Sequence, residues 1–160
     1  MCKNCPLDLE VLHSGNIVIV TQDTIDTFDA TGKLTNSLRI GQFHLKNATI
    51  KQMKNGQISI CVQNHEDHLF HALIGSELDL KILDFDEEIS SMSWLNESRI
   101  VLRHERKIEI LDVKSNQIVF THEAPKKAME VMDFALHPFM PNIICCCDDS
   151  KSVQIFGCQL

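Results

Sequence analysis

No apolar stretch in the 160 residues is long enough to cross a bilayer. The purest runs are Ile17–Val20 and Ile143–Cys147, against the roughly 20 residues a membrane helix needs. Basic residues are also in deficit: 15 Lys and Arg stand against 22 Asp and Glu, for a formal charge of −7 and a pI near 5.5. Binding to nucleic acid draws its sequence-independent affinity from clustered cations, so DNA and RNA are not expected as direct partners. The first ten residues carry Lys3, Asp8 and Glu10 where a secretory leader needs an unbroken apolar core, so no export signal is expected. Glycine is scarce, six residues in all. No Gly-rich phosphate loop, Gly-x-Ser-x-Gly elbow or His-Glu-x-x-His pair occurs. A non-enzymatic role without a cofactor is the expectation.

The seven cysteines are an odd number, and three of them, Cys145, Cys146 and Cys147, are adjacent. Neighbouring side chains on a strand point to opposite faces, which does not suit a disulfide framework. A reducing compartment, cytosol or nucleus, follows. The sequons at Asn47 and Asn96 are then expected to stay unmodified.

What the sequence does contain is a repeat. Val11–Val20, Gln52–Cys61, Trp94–Arg103 and His137–Cys146 fall into one frame, with a turn residue at Gly15, Gly56, Ser98 and Pro141, spaced 41, 42 and 43 residues apart. A second landmark follows the first, third and fourth of these, an alternating apolar segment: Ile25–Asp29, Ile108–Asp112 and Val153–Gly157. Alternation with period two marks half-buried strands. Each period reads as four short strands, a to d, parted by Gly, Asn, Asp, Ser and Lys turns. The predicted units are 7–40, 48–85, 89–122 and 131–158, and the last has a, b and c but no d.

Four strands repeating every 40-odd residues, with an Asp-bearing b-to-c turn and a bulky residue closing c, resemble the WD40 β-propeller family. An ordinary antiparallel sandwich also has short strands at even spacing, but it has no reason to repeat its turn position. In the family, a His between d and a and an Asp in the b-to-c turn bond to a Trp near the end of c. Here His44 and His122 stand at the first position, Asp23 and Asp148 or Asp149 at the second, and Phe28, Leu111 and Phe156 in place of the Trp. The resemblance implies an all-β fold, one partial propeller segment over residues 1–160 with about four blades, the last lacking its outer strand. An uncovered c strand is a liability. The ring is expected to be completed by missing blades, by another copy or by another protein.

Other constellations have plainer readings. His65, His68 and His71 lie beside Glu66 and Asp67, but residues three apart on a strand point to opposite faces, so a solvated b-to-c loop is expected rather than a metal site. Cys2-x-x-Cys5 is half of a zinc knuckle that Cys158 or one of Cys145–Cys147 would have to complete; buried small hydrophobes are the default. His137-Pro138 reads as a structural turn. Asp84–Glu88 forms an acidic patch, and Lys126-Lys127 a small basic spot.

The resemblance implies a scaffold that binds other proteins or peptides as part of an intracellular complex. The loops that would carry this hold Gln42, His44, Asp86, Glu87 and Glu123. A second reading has the open c strand around Val153 and Ile155 accept a partner strand, completing the propeller. An enzyme or zinc-binding protein with an unrecognised site is the third.

Overall fold

The recurring turns of the sequence are turns in the computed structural model, which describes residues 5–41, 44–74, 78–83, 88–140 and 142–158, with backbone alone over 78–83. Fifteen strands form among these residues: β1 (Pro6–Val11), β2 (Ile17–Thr21), β3 (Thr24–Phe28), β4 (Leu34–Arg39), β5 (Leu45–Gln52), β6 (Ile58–Asn64), β7 (Leu69–Ile74), β8 (Leu78–Leu83), β9 (Ser91–Trp94), β10 (Arg99–Arg103), β11 (Lys107–Asp112), β12 (Gln117–Glu123), β13 (Val131–Leu136), β14 (Ile143–Asp148) and β15 (Val153–Gly157). They pair in chain order as four antiparallel meanders, three of four strands and a last one of three, β13-β14-β15. Among the described residues no helix is long and apolar enough to cross a membrane.

The same a-to-b turn is built with different side chains. Gly15 and Gly56 sit at φ of 82° and 84°, a region that penalises any Cβ. Each donates its N–H to the carbonyl three residues back, at 2.8 and 2.9 Å. In the third sheet Asn96 Oδ1 accepts from the N–H groups of Ser98 and Arg99 at 2.9 and 3.0 Å. In the fourth, His137 Nδ1 accepts from Phe139 and Met140 at 3.2 and 3.0 Å, so the His-Pro pair is a turn device. The b-to-c turns likewise pivot on one buried polar residue each, Thr21, Asn64, His104 and Asp148.

One strand begins earlier than its pattern suggests. β5 starts at Leu45, not at 48, because the register shifts between Leu45 and Asn47 and the extra residue breaks the alternation. The same irregularity opens β1 between Pro6 and Asp8 and β13 between Val131 and Asp133, so the repeat extends to its bulges.

The chain divides into two compact units, Met1–Asp86 and Glu87–Leu160. In the first, Val18, Val20 and Ile25 of the first sheet pack with Leu45, Ile50, Ile60, Val62 and Phe70 of the second. Two polar ties reinforce this: Asp8 Oδ2 accepts from the Ile50 N–H at 2.8 Å, and Gln52 Oε1 from the His13 N–H at 2.7 Å. Burial raises the Asp8 carboxyl above its ordinary value, against the two backbone N–H bonds it accepts. In the second unit, Val101, Ile108 and Ile110 pack with Val131, Ile144 and Cys146.

Candidate functional site

In an up-and-down meander the b-to-c and d-to-a connections share one end of the sheet. In the second unit that end carries an open cleft of about 490 Å³, lined by Glu88 and Ser90 before β9, by His104, Glu105, Arg106 and Lys107 at the β10–β11 turn, and by Glu123 closing β12. Its floor is a buried polar cluster. Glu109 Oε1 accepts from Lys107 Nζ at 3.0 Å and from Thr121 Oγ1 at 3.2 Å, while Oε2 lies 3.3 Å from His104 Nε2. His104 Nδ1 is 3.0 Å from the Glu88 carbonyl oxygen, which can only accept, so this nitrogen carries a proton.

Both cations of the cleft are committed to the protein. Lys107 holds Glu109, and Arg106 Nη1 donates to the carbonyls of Ala128 and Met129 at 2.7 and 3.1 Å, fastening the connection between β12 and β13. Glu105 and Glu123 are exposed, and among the described residues their carboxylates make no hydrogen bond or ion pair. Negative charge at Glu105 and Glu123 is therefore uncompensated on this rim.

The expected site residues are dispersed. Glu123 lies on the cleft. His44 belongs to the other unit, exposed at φ 47°, its carbonyl accepting the His65 N–H at 3.1 Å. Gln42, Asp86 and Glu87 lie outside the described residues. Val153 and Ile155 stand on β15, 67% and 73% exposed. The cluster of His104, Lys107 and Glu109 was not anticipated, because alternation assigns Glu109 to a solvent face. Its one sequence signal is a lone acid between Ile108 and Ile110, in a strand whose two faces are both buried.

No protein-family model and no curated protein matches the chain. Solved structures do. BBS1N, crystallised in complex with ARL6DN, superposes with a TM-score of 0.77 at 10% identity, over 100% of this chain and 54% of that one. The β-propeller domain of Myceliophteria thermophila Cps50 (Swd1) gives 0.68 at 14% identity, over 98% and 52%. The C-terminal WD40 domain of Sif2 gives 0.65 at 15% identity, over 99% and 44%. The fold is a partial WD40-type β-propeller. The chain spans about half the length of these solved chains.

With the propeller frame fixed, the residues at its polar positions can be placed. His122 Nε2 lies 2.5 Å from Gln154 Oε1, and Gln154 Nε2 donates to Asp148 Oδ2 at 3.3 Å. His122 also stacks on Phe156, with centroids 4.2 Å apart. The third and fourth blades are thus tied by a His–Gln–Asp relay, with Phe156 supplying the ring and Gln154 the hydrogen bonds that a single Trp would combine. Of the two aspartates considered for the turn, Asp148 is the one in the relay. Its carboxyl is held below the ordinary value chiefly by the Ser150 hydroxyl, against the burial that raises it. Asp149 instead accepts from the Met129 N–H at 2.8 Å. In the first blade the turn pivots on Thr21, whose Oγ1 accepts the Thr24 N–H at 2.9 Å, and Asp23 is exposed.

The metal-like sets do not assemble among the described residues. His71 Nε2 is 2.8 Å from Ser59 Oγ, whereas His68 is exposed and faces Glu66 at 3.6 Å. Burial pushes the Cys146 thiol up to about 11 and raises Cys158 as well, so both are poor sources of thiolate. Cys2 lies outside the described residues.

Proposed function

We propose that this chain is a non-enzymatic docking module of an intracellular complex, in the cytoplasm or nucleus, whose loop-end cleft takes a basic side chain of a partner protein or peptide. The observation that carries the reading is the pair Glu105 and Glu123, exposed and unpaired on a cleft whose own Arg106 and Lys107 are engaged elsewhere. A Lys or Arg would bring its charge to these carboxylates while its methylene stem lies along the cleft. The known complex of BBS1N with ARL6DN, a structure of the same fold, is consistent with protein docking on such a frame. Fluorescence polarisation with a Lys/Arg-rich peptide set tests it. The Glu105→Gln, Glu123→Gln double variant is expected to bind about tenfold more weakly at low salt, as two contacts of about 0.5–1 kcal/mol each would give, and the difference should shrink as salt is raised. Unchanged affinity in the double variant would rule the cleft out.

A specific observation also favours strand acceptance at β15. Backbone bonds at its two ends, Asp148 N–H to Ser152 O and Cys158 N–H to Asn142 O, bracket an unshifted register. The even-numbered residues therefore face β14, and the amides of Val153, Ile155 and Gly157 face the open edge. Ile155→Pro would remove one outward donor and leave the β14–β15 ladder whole. It is expected to abolish binding of a strand-forming peptide at β15 and to spare binding of basic peptides; equal loss of both would sink this second reading.

A further inference from the structure

The repeat allows one position to be compared in two environments. Counted from the b-to-c turn, Cα pairing puts Val101 opposite Ile110 in the third sheet and Cys145 opposite Ile155 in the fourth. Arg103 opposite Ile108 becomes Cys147 opposite Val153 in the same way. Ile108 and Ile110 are fully buried, because the fourth sheet covers them, whereas Val153 and Ile155 are 67% and 73% exposed. The outer face of the fourth sheet is thus a face of the kind that another sheet covers, and none of the described residues covers it.

The first sheet shows the converse. Its face away from the first unit's core carries Leu9 and Val11, 49% and 59% exposed, beside Ile17, Ile19 and Phe28. By the same count these correspond to Ile50, Ile60 and Val62 of the second sheet, buried where that sheet covers the first. This is a covering face with none of the described residues beneath it. Runs of exposed apolar side chains on sheet faces mark interaction surfaces.

The chain therefore presents one face of each kind, and a second copy carries the complement of both. We infer that the chain associates with itself head to tail, the first-sheet face of one copy covering the fourth-sheet face of the other and continuing the sheet-on-sheet packing already present within each unit. Such a heterologous contact either closes or extends without limit. Closure at two is the expected outcome, since one copy spans 54% and 52% of two solved chains of this fold. The inference does not rest on the cleft.

Light scattering after gel filtration is the test, with wild type, Val11→Lys and Ile155→Glu; both substitutions fall on exposed side chains, and circular dichroism checks that each variant keeps its strands. Wild type is expected at twice the single-chain mass and each variant alone at the single-chain mass, because each substitution damages both junctions of the pair. An equimolar mixture of the two variants should regain the doubled mass, since one junction is then native on both sides and the other sets Lys against Glu. A monomeric or polydisperse wild type overturns the inference. So does a Val11→Lys chain that stays dimeric, which would mean a symmetric contact through the fourth sheet alone, or a mixture that stays monomeric.

Discussion

Truncating Ile110 to alanine is expected to cost about 2–5 kcal/mol of unfolding free energy, whereas Ile155→Ala, at the same place in the next repeat, should change it by less than about 0.5 kcal/mol in the Val11→Lys background. Ile110 is sealed between Val101 on its own sheet and the Ile144 and Cys146 layer of the fourth, so its lost methyl groups leave a cavity that neighbouring side chains fill only in part. Ile155 already spends most of its surface in water, and shortening it opens no cavity. Trp94, the single tryptophan, sits buried on β9 of the same unit and reports urea unfolding by fluorescence. Equal costs for the two substitutions would mean that Ile155 is covered in the isolated chain, against the exposure on which the dimer rests. In the wild-type background Ile155→Ala should instead weaken dimerisation, and the contrast between backgrounds separates packing within a copy from packing between copies.

Much of the architecture was legible because the repeat is carried by spacing and polarity and needs little residue identity. Ser98 shares no chemistry with Gly15 and Gly56, yet each falls in a turn closed by backbone or side-chain acceptors, and the strands follow at their predicted places; Pro141 lies outside the described residues. The start of β5 was missed because a bulge at Lys46 interrupts the alternation on which the prediction depends. Burial of the strand faces was harder to foresee. Period two says which side chains share a face and leaves open whether the second face is exposed; the polar Glu109, Gln63 and Ser59 stand on such faces and are all buried.

The candidate site was legible only at one residue. Glu123 was singled out as part of a d-to-a connection, and it lines the cleft. Glu105 gave no signal, since an exposed acid in a b-to-c turn is what any soluble β protein shows. Its significance comes from a tertiary fact, the engagement of Arg106 by the carbonyls of Ala128 and Met129, which removes the cation that would otherwise neutralise it. For the same reason the relay from His122 to Asp148 could be half-read: both ends stood at family positions, and the Gln154 between them did not.

Glu109→Ala is expected to be as damaging as any core truncation, about 3–5 kcal/mol, because it removes a buried anion from beside His104 and leaves the Lys107 cation and the Thr121 hydroxyl without their acceptor. The carboxylate accepts from Lys107 and Thr121 at 3.0 and 3.2 Å, and its second oxygen lies 3.3 Å from His104 Nε2. Glu109→Gln should fall between alanine and wild type: the amide oxygen can still accept from Thr121, as the Gln154 of the next repeat accepts its own partner, but the charge that offsets Lys107 is gone. Removing the cluster whole, with His104→Leu, Lys107→Met and Glu109→Leu together, should recover stability to within about 1 kcal/mol of wild type, since apolar replacement of a complete buried set leaves no charge stranded. Urea titration of the three chains decides it. Should Glu109→Ala lie within about 0.5 kcal/mol of wild type, the cluster would be solvated in solution, the floor of the cleft would be wet, and a basic partner group would compete with Lys107 for Glu109 directly instead of settling on Glu105 and Glu123.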